Sequence, residues 1–251
     1  MPRLITHTLS LITLLFTVGT ASAVELHLYA GAGLRQPIEV VVKQFEQNTG
    51  HKVVIEYGGS GQILTRFNLT KTGDLFLPGS ADYVEKLQQE GQVTSAYPLV
   101  LHTPVMVVRK ATGSQIHTLA ELAQSDLKIG MGDPKAIALG KSGEKLLAAS
   151  GYEKALKEKV VVQATTIKQL VIYLLNGDVD AAVIGRSDAV KYQDTLNLLP
   201  SPAGTPEEVA TVAVLKTSAH PDVAGQLAAY FASPQGIAAF TGLGYLPVKK
   251  G

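Results

Sequence analysis

The sequence predicts an α/β protein of two lobes, each a mostly parallel sheet flanked by helices, joined by two hinge crossings. Short β-rich segments alternate with helical segments from Val24 onward, a pattern typical of parallel strands connected by helices. The alternation is interrupted at Leu101–Val105 and again at the Pro/Gly-rich Pro200–Glu208. Because neither interruption is a long linker, we expect the chain to cross between lobes twice. Lobe I is predicted over residues 24–103 and 206–251, and lobe II over residues 104–205.

Eight apolar segments, most of them rich in β-branched residues, predict the strands. In chain order they are Val24–Ala30, Lys52–Tyr57, Asp74–Leu77, Pro104–Arg109, Leu127–Met131, Val160–Gln163, Ala181–Ile184 and Val209–Leu215.

Helices are predicted between these strands where an apolar stripe has recognisable ends. Proline at the first turn, Ser or Thr at the N-cap and Gly at the C-terminus supply those ends. The clearest segments are Pro37–Gly50, Ser80–Gly91, a helix opened by the capping box Thr118–Glu121, and Thr166–Gly177.

The first 23 residues have the composition of a cleavable secretory signal. Arg3 precedes the apolar segment Leu9–Val18, and small residues follow as far as Ala21–Ala23. The apolar core is about ten residues long, whereas a membrane-spanning helix needs about 20. We therefore expect cleavage after Ala23 and a periplasmic mature protein.

Charge and cysteine content exclude several classes of function. Without Arg3, the 22 Lys and Arg residues become 21, against 21 Asp and Glu. A net charge near zero argues against nucleic acid or an anionic membrane as a partner. The chain contains no cysteine, so it has no disulfide, no thiolate chemistry and no residue for a lipoprotein anchor.

Four junctions between a strand and a helix are rich in small residues. They are Tyr29–Pro37, Tyr57–Ile63, Gly132–Gly143 and Gln163–Gln169. A helix N-terminus presents unpaired backbone N–H groups and a partial positive charge, and small residues let an anion approach them. Any one of these junctions could be an ordinary capped turn. Four of them together favour an anion-binding cleft.

Two motifs that suggest enzymes fail on spacing. The sequence Gly140-Lys141-Ser142 resembles the end of a phosphate-binding loop, but the glycine required five residues earlier is Lys135. Ser60 lacks the second glycine of a hydrolase elbow, since Gln62 occupies that position. We interpret Ser60 as an N-cap and a hydroxyl donor to a ligand.

Other catalytic chemistry has no support in the sequence. The histidines after the signal show no metal-ligand spacing, and no catalytic pair of carboxylates stands out; those histidines are His27, His51, His102, His117 and His220. No metal, cofactor or enzymatic activity is therefore expected.

Taken in order, these segments resemble the periplasmic molybdate- and tungstate-binding proteins of ABC transporters, the type II solute-binding proteins. The resemblance covers nearly the whole chain after the signal. Its most specific parts are "IGMGDPKAIALGKSGEKLL", with Gly-Asp-Pro, and "NGDVDAAVIGRSDAV", with its Asp-Ala pair. The segments "YGGSGQILTRF" and "GLGYLPV" support it by order and spacing.

This resemblance implies a type II periplasmic binding fold and a set of ligand-binding positions. Carried over position by position, they are Ala32, Gly33, Ser60, Gly61, Leu139, Gly140, Ile167, Gly185 and Arg186. The family's first serine falls on Gly33 and its tyrosine on Gly185, so two hydroxyl donors are missing. Arg35 and Arg186 flank these positions, and they either supply charge to the cleft or face solvent.

The implied function is capture of an oxyanion, foremost molybdate or tungstate, and its delivery to an inner-membrane ABC permease. The resemblance implies a monomer that meets the membrane only through the permease. The alternative is the same fold binding a small organic or phosphorylated acid, for uptake or sensing.

Overall fold

Two β-sheets organise the part of the chain that the structure describes. The computed structural model describes residues 23–248, so the predicted signal segment lies outside it except for Ala23. The first sheet has six strands in the order β11-β4-β10-β3-β1-β2. Their bounds are β1 Glu25–Gly31, β2 Lys52–Gly58, β3 Leu75–Leu77, β4 Val93–His102, β10 Glu208–Leu215 and β11 Leu246–Pro247.

The second sheet has five strands in the order β7-β6-β8-β5-β9. Their bounds are β5 Pro104–Arg109, β6 Ile129–Gly132, β7 Val160–Ala164, β8 Ala181–Gly185 and β9 Leu196–Leu198. All eight predicted strands are present. Three strands were not predicted: β4, whose last residues were read as an interruption, and the short β9 and β11.

The predicted α/β fold, with two sheets flanked by helices, is confirmed, and within it both sheets are mixed rather than mostly parallel. β1 is parallel to β2 and β3, whereas β10 is antiparallel to β3 and β4. In the second sheet β6 is parallel to β7 and β8, whereas β5 is antiparallel to β8 and β9. The reason lies in the two crossings. β5 begins where its neighbour β8 ends, and β10 begins where its neighbour β4 ends. Each therefore runs antiparallel to that neighbour.

The two crossings lie side by side. β4 ends at His102 and β5 begins at Pro104, while β10 begins at Glu208 after the chain returns from β9. His102 and Glu208 are direct partners in the antiparallel register of β4 and β10. The crossings thus form a double connection of the kind that allows hinge closure. The residue boundaries predicted for the two lobes stay a prediction.

Helices cover both sheets. Those of the first lobe are α1 Arg35–Thr49, α2 Ser60–Thr70, α3 Ala81–Gln89, α10 Pro221–Ala232 and α11 Pro234–Thr241. Those of the second are α4 Lys110–Gly113, α5 Leu119–Gln124, α6 Ala138–Ala149, α7 Glu153–Glu158, α8 Ile167–Asn176 and α9 Arg186–Lys191. Between residues 23 and 248, no helix combines the length and the apolar character needed to cross a membrane.

Several predicted helix ends are confirmed. Thr118 and Glu121 form the capping box of α5, and Gly50 and Gly177 adopt the left-handed conformation at the C-caps of α1 and α8. Ser80 is the N-cap of α3, although its side chain makes no capping hydrogen bond.

Candidate functional site

A small cavity of about 20 Å³ lies between the two lobes, where β1, β2 and β4 end. The first lobe contributes Gly31–Leu34, Gly58–Ser60, Gly79 and His102 to its wall, and the second contributes Ile137–Leu139, Thr166 and Ile167. None of these lining residues carries a formal charge at neutral pH when His102 is neutral. Any anion held here must therefore be bound by dipoles and hydrogen bonds.

Three long helices direct their N-termini at this cavity. α2 begins at Ser60, α6 at Ala138 and α8 at Ile167, and all three residues line it. The N–H groups in a helix's first turn have no acceptor in their own helix, and the helix dipole places partial positive charge there. Because the three N-termini come from both lobes, closure of the lobes concentrates positive potential in the cavity.

The two lobes are in direct contact beside the cavity. The Gly61 N–H donates to the carbonyl oxygen of Ala136 across the cleft, at an N···O distance of 2.9 Å. A Cβ added at Gly61 would overlap the carbonyl oxygen of Lys135. Ala138 of the second lobe also packs in the first lobe's cluster containing Ile63 and Phe67. These contacts join the two lobes around the cavity, and we call this arrangement closed.

Ser60 is placed as a potential ligand donor, but it is not an N-cap. The N-cap of α2 is Gly59, and Ser60 is the first helical residue, so the N-cap prediction is wrong. The Ser60 hydroxyl oxygen instead accepts the Gly79 N–H, at an N···O distance of 3.1 Å. The buried hydroxyl keeps its own hydrogen to donate to a ligand in the cavity.

His102 lines the cavity although it is not among the predicted site residues. It is the last residue of β4 and only 4% exposed. Its Nδ1 lies 3.1 Å from the carbonyl oxygen of Gly79. Because a carbonyl oxygen can only accept, Nδ1 carries the hydrogen, and in the neutral ring Nε2 is left as an acceptor.

The Nε2 atom of His102 lies between Gly33 and Gly185. A Cβ added at Gly33 would stand 3.4 Å from this nitrogen, and one added at Gly185 would stand 3.3 Å from it. The two glycines thus leave room for the imidazole ring. The imidazole ring therefore fills the space in front of both glycines.

Burial makes the His102 ring hard to charge. Desolvation lowers the pKa of His102 to about 4, against the weaker raising effects of the Gly79 carbonyl and Asp188. The Asp188 carboxylate is itself paired with the Lys168 ammonium at 2.7 Å, and that cation lowers the pKa of His102 further. Without a ligand the ring is therefore neutral at pH 7.

The structure brings together five of the nine predicted site residues at the cavity wall: Ala32, Gly33, Ser60, Leu139 and Ile167. Gly185 contacts the same region from β8, where an added Cβ would meet His102 and the Leu139 side chain. Gly61 lies at the contact between the lobes, where its N–H donates to the Ala136 carbonyl oxygen. The Gly140 N–H donates to the carbonyl oxygen of Ile137, at 3.1 Å, rather than facing the cavity. Their roles toward a ligand stay a prediction.

Arg35 and Arg186 both lie outside this cavity. The Arg35 guanidinium stacks over the Tyr57 ring, 3.8 Å from its centroid, and lies 3.4 Å from the Glu39 carboxylate on an exposed helix face. Arg186 lines a separate surface cavity with Thr103 and Leu198. In this closed arrangement neither guanidinium supplies charge to the cleft.

A second cavity of about 170 Å³ shares Gly33 with the first. Its wall includes Lys168, Ser187, Asp188 and Tyr245. The Tyr245 hydroxyl donates to the carbonyl oxygen of Gly33, at an O···O distance of 2.8 Å. Burial raises the pKa of Tyr245, so this phenol keeps its hydrogen.

Across residues 23–248, no group of three or more His, Asp or Glu side chains has the arrangement of a metal site.

Comparison with known proteins gives consistent results. The family described as bacterial extracellular solute-binding protein matches residues 26–246. A Haemophilus influenzae protein that carries only the general name of a binding protein is 54% identical over 237 residues, which is 94% of this chain and 97% of that protein.

Three solved structures have a similar fold at low sequence identity. The periplasmic molybdate-binding protein of Azotobacter vinelandii has a TM-score of 0.78 at 19% identity, covering 89% of this chain and 100% of that one. The sulfate-binding protein SubI of Mycobacterium tuberculosis has a TM-score of 0.80 at 18% identity, covering 90% of this chain and 88% of that one. The periplasmic binding protein AfuA of Actinobacillus pleuropneumoniae, with fructose-6-phosphate bound, has a TM-score of 0.77 at 17% identity, covering 90% and 85%.

Proposed function

Because the chain belongs to the bacterial extracellular solute-binding protein family, we propose that it captures an oxyanion between its lobes and delivers it to an ABC permease. The observation that carries this proposal is the small cavity walled by the N-termini of α2, α6 and α8. Backbone N–H groups at helix N-termini bind oxyanions without a charged side chain. Molybdate and tungstate are the first candidates, since a molybdate-binding protein is among the structures of the same fold.

The proposed cycle uses the two crossings as hinges. In the open form the anion reaches the first lobe and meets the Ser60 loop. The loops at Leu139 and Ile167 then close over it from the second lobe, and the Gly61–Ala136 hydrogen bond forms. The closed form is the one that the permease recognises. This cycle places the lobe boundaries near residues 103 and 205 and needs only a monomer in the periplasm, released from its signal after Ala23.

A phosphorylated organic acid is the second candidate ligand. The 170 Å³ cavity that shares Gly33 with the anion cavity offers space for an organic group, with the Lys168 ammonium in its wall. AfuA shows that this fold can hold a sugar phosphate. Such a ligand would place its anionic head in the small cavity and its organic tail in the larger one.

Thermal unfolding of the mature protein tests the proposal. At a ligand concentration one hundred times the Kd, stabilisation is about 2.7 kcal/mol, a Tm increase of about 5–10 °C for a chain of this size. We expect this shift with at least one of molybdate, tungstate, sulfate, phosphate or citrate, measured against sodium chloride at equal ionic strength. A Tm unchanged by all five would refute the oxyanion proposal.

A further inference from the structure

We propose that the Nε2 atom of His102 is a ligand group, and that it holds the bound anion through one shared proton. This inference rests on the proposed function, because it names a contact within the same cavity. The geometry that points to it is a buried imidazole whose Nδ1 is engaged by Gly79 and whose Nε2 faces the space between Gly33 and Gly185.

The shared proton follows from the tautomer. With its hydrogen on Nδ1, a neutral His102 presents only a lone pair at Nε2, and a fully deprotonated oxyanion presents only lone pairs as well. These two groups repel unless one proton lies between them. An oxyanion that carries a hydrogen, such as hydrogen phosphate, brings that proton with it. Molybdate, tungstate and sulfate do not, so the complex must take up one proton from solvent to form imidazolium.

The surroundings of His102 allow this proton to be held in the complex. The charged groups that face the ring are Asp188 on α9 and Lys168 on α8, and they form an ion pair of their own at 2.7 Å. Glu208 is the register partner of His102 on β10, and the Tyr245 ring lies 6.0 Å away between centroids. Tyr245 keeps its hydrogen, as burial raises its pKa. The anion itself would thus be the added charge that favours the imidazolium.

The same contact would set specificity. Backbone N–H groups bind any oxyanion of suitable size, whereas a neutral imidazole favours an anion that carries a hydrogen. As the pH rises, the affinity for fully deprotonated anions should fall relative to the affinity for hydrogen phosphate. The substrate class that His102 favours is therefore a hydrogen-bearing oxyanion, or a dianion that binds together with one proton.

Isothermal titration calorimetry of the wild-type mature protein tests this directly. Molybdate and inorganic phosphate are titrated in buffers of different ionisation enthalpy, from pH 6.5 to 8.5. For molybdate we expect uptake of about one proton and an affinity that falls about tenfold per pH unit. For phosphate at pH 8, where the monohydrogen form predominates, we expect no net uptake. Molybdate binding without proton uptake would overturn the proposal.

Two variants separate His102 from other titrating groups. His102→Gln should bind molybdate with an affinity that no longer changes with pH, while His117→Gln, at an exposed position, should keep the wild-type dependence. Proton uptake that persists in His102→Gln would assign the proton to another group and overturn the proposal. Failure of the wild type to bind any oxyanion would instead refute the proposed function, and the two failures are therefore distinguishable.

Discussion

Gly61 in the first lobe donates its backbone N–H to the carbonyl oxygen of Ala136 in the second, at an N···O distance of 2.9 Å. This hydrogen bond exists only while the lobes are closed. It depends on the missing side chain, since a Cβ at residue 61 would overlap the Lys135 carbonyl oxygen. The contact between the lobes therefore depends in part on a glycine in the first turn of α2, the helix whose first residue, Ser60, lines the cavity.

Gly61→Ala should weaken ligand binding without unfolding the protein. The added methyl group blocks closure, so we expect the affinity for the best-binding anion to fall at least about tenfold. At a ligand concentration that saturates the wild type, small-angle scattering should report an open form of the variant. Gly225→Ala is the matched control, because a Cβ there meets open space on α10. Equal affinities for the two variants would contradict this role of Gly61.

The stability of the unliganded protein should depend on His102 between pH 6.5 and 4. The pKa of His102 is about 4 in the folded state and about 6.5 when unfolded. In that window the unfolded chain binds more protons, so the free energy of unfolding falls as the pH falls. This difference in pKa corresponds to about 3 kcal/mol of unfolding free energy, which is lost progressively from pH 6.5 to pH 4.

Urea unfolding at a series of pH values measures this effect. Carboxylates also titrate below pH 5, so the informative quantity is the difference in unfolding free energy between the wild type and His102→Gln. That difference should narrow by about 3 kcal/mol as the pH falls through the window. A constant difference would mean that the ring is already exposed or charged in the folded state.

Ser60→Ala should affect both stability and binding. The change leaves the buried Gly79 N–H without its acceptor, which costs about 1–3 kcal/mol of unfolding free energy. It also removes a hydroxyl donor from the cavity, so we expect about a tenfold loss of anion affinity. Thermal unfolding and calorimetry check both quantities, with the exposed Ser114→Ala as control. An affinity equal to the wild type's would show that Ser60 only positions the Gly79 loop.

Arg35→Ala and Arg186→Ala should leave anion affinity within about threefold of the wild-type value. Arg35 stacks on Tyr57 and Arg186 faces a separate cavity, so neither guanidinium reaches the central one. Loss of the Arg35 stacking should cost only about 0.5–1 kcal/mol of stability, the range for exposed cation–π pairs. A tenfold loss of affinity in either variant would mean that the open form uses the arginine to recruit the anion.

Local patterns were enough to predict most of the fold. The eight predicted strands and the caps at Thr118, Gly50 and Gly177 depend on neighbouring residues, so they could be read from short segments. The mixed strand directions could not, because they depend on where β5 and β10 enter their sheets. Ser60 was assigned to the wrong cap position by one residue, within the usual uncertainty of helix boundaries.

The candidate site was only partly predictable for the same reason. The resemblance assigns missing hydroxyl donors to Gly33 and Gly185, and that assignment stays a prediction. It does not identify His102, which lies in the predicted interruption between the lobes.

The sequence by itself determined the alternating α/β pattern, the two crossings and the small-residue loops, since these are properties of local composition and spacing. Only the tertiary structure decided that His102 lies between Gly33 and Gly185 with its Nδ1 on Gly79. Those residues are far apart along the chain and meet where strands of both sheets end at the cleft. Strand register and lobe closure, which no short segment encodes, therefore placed a buried imidazole in the cavity between the lobes.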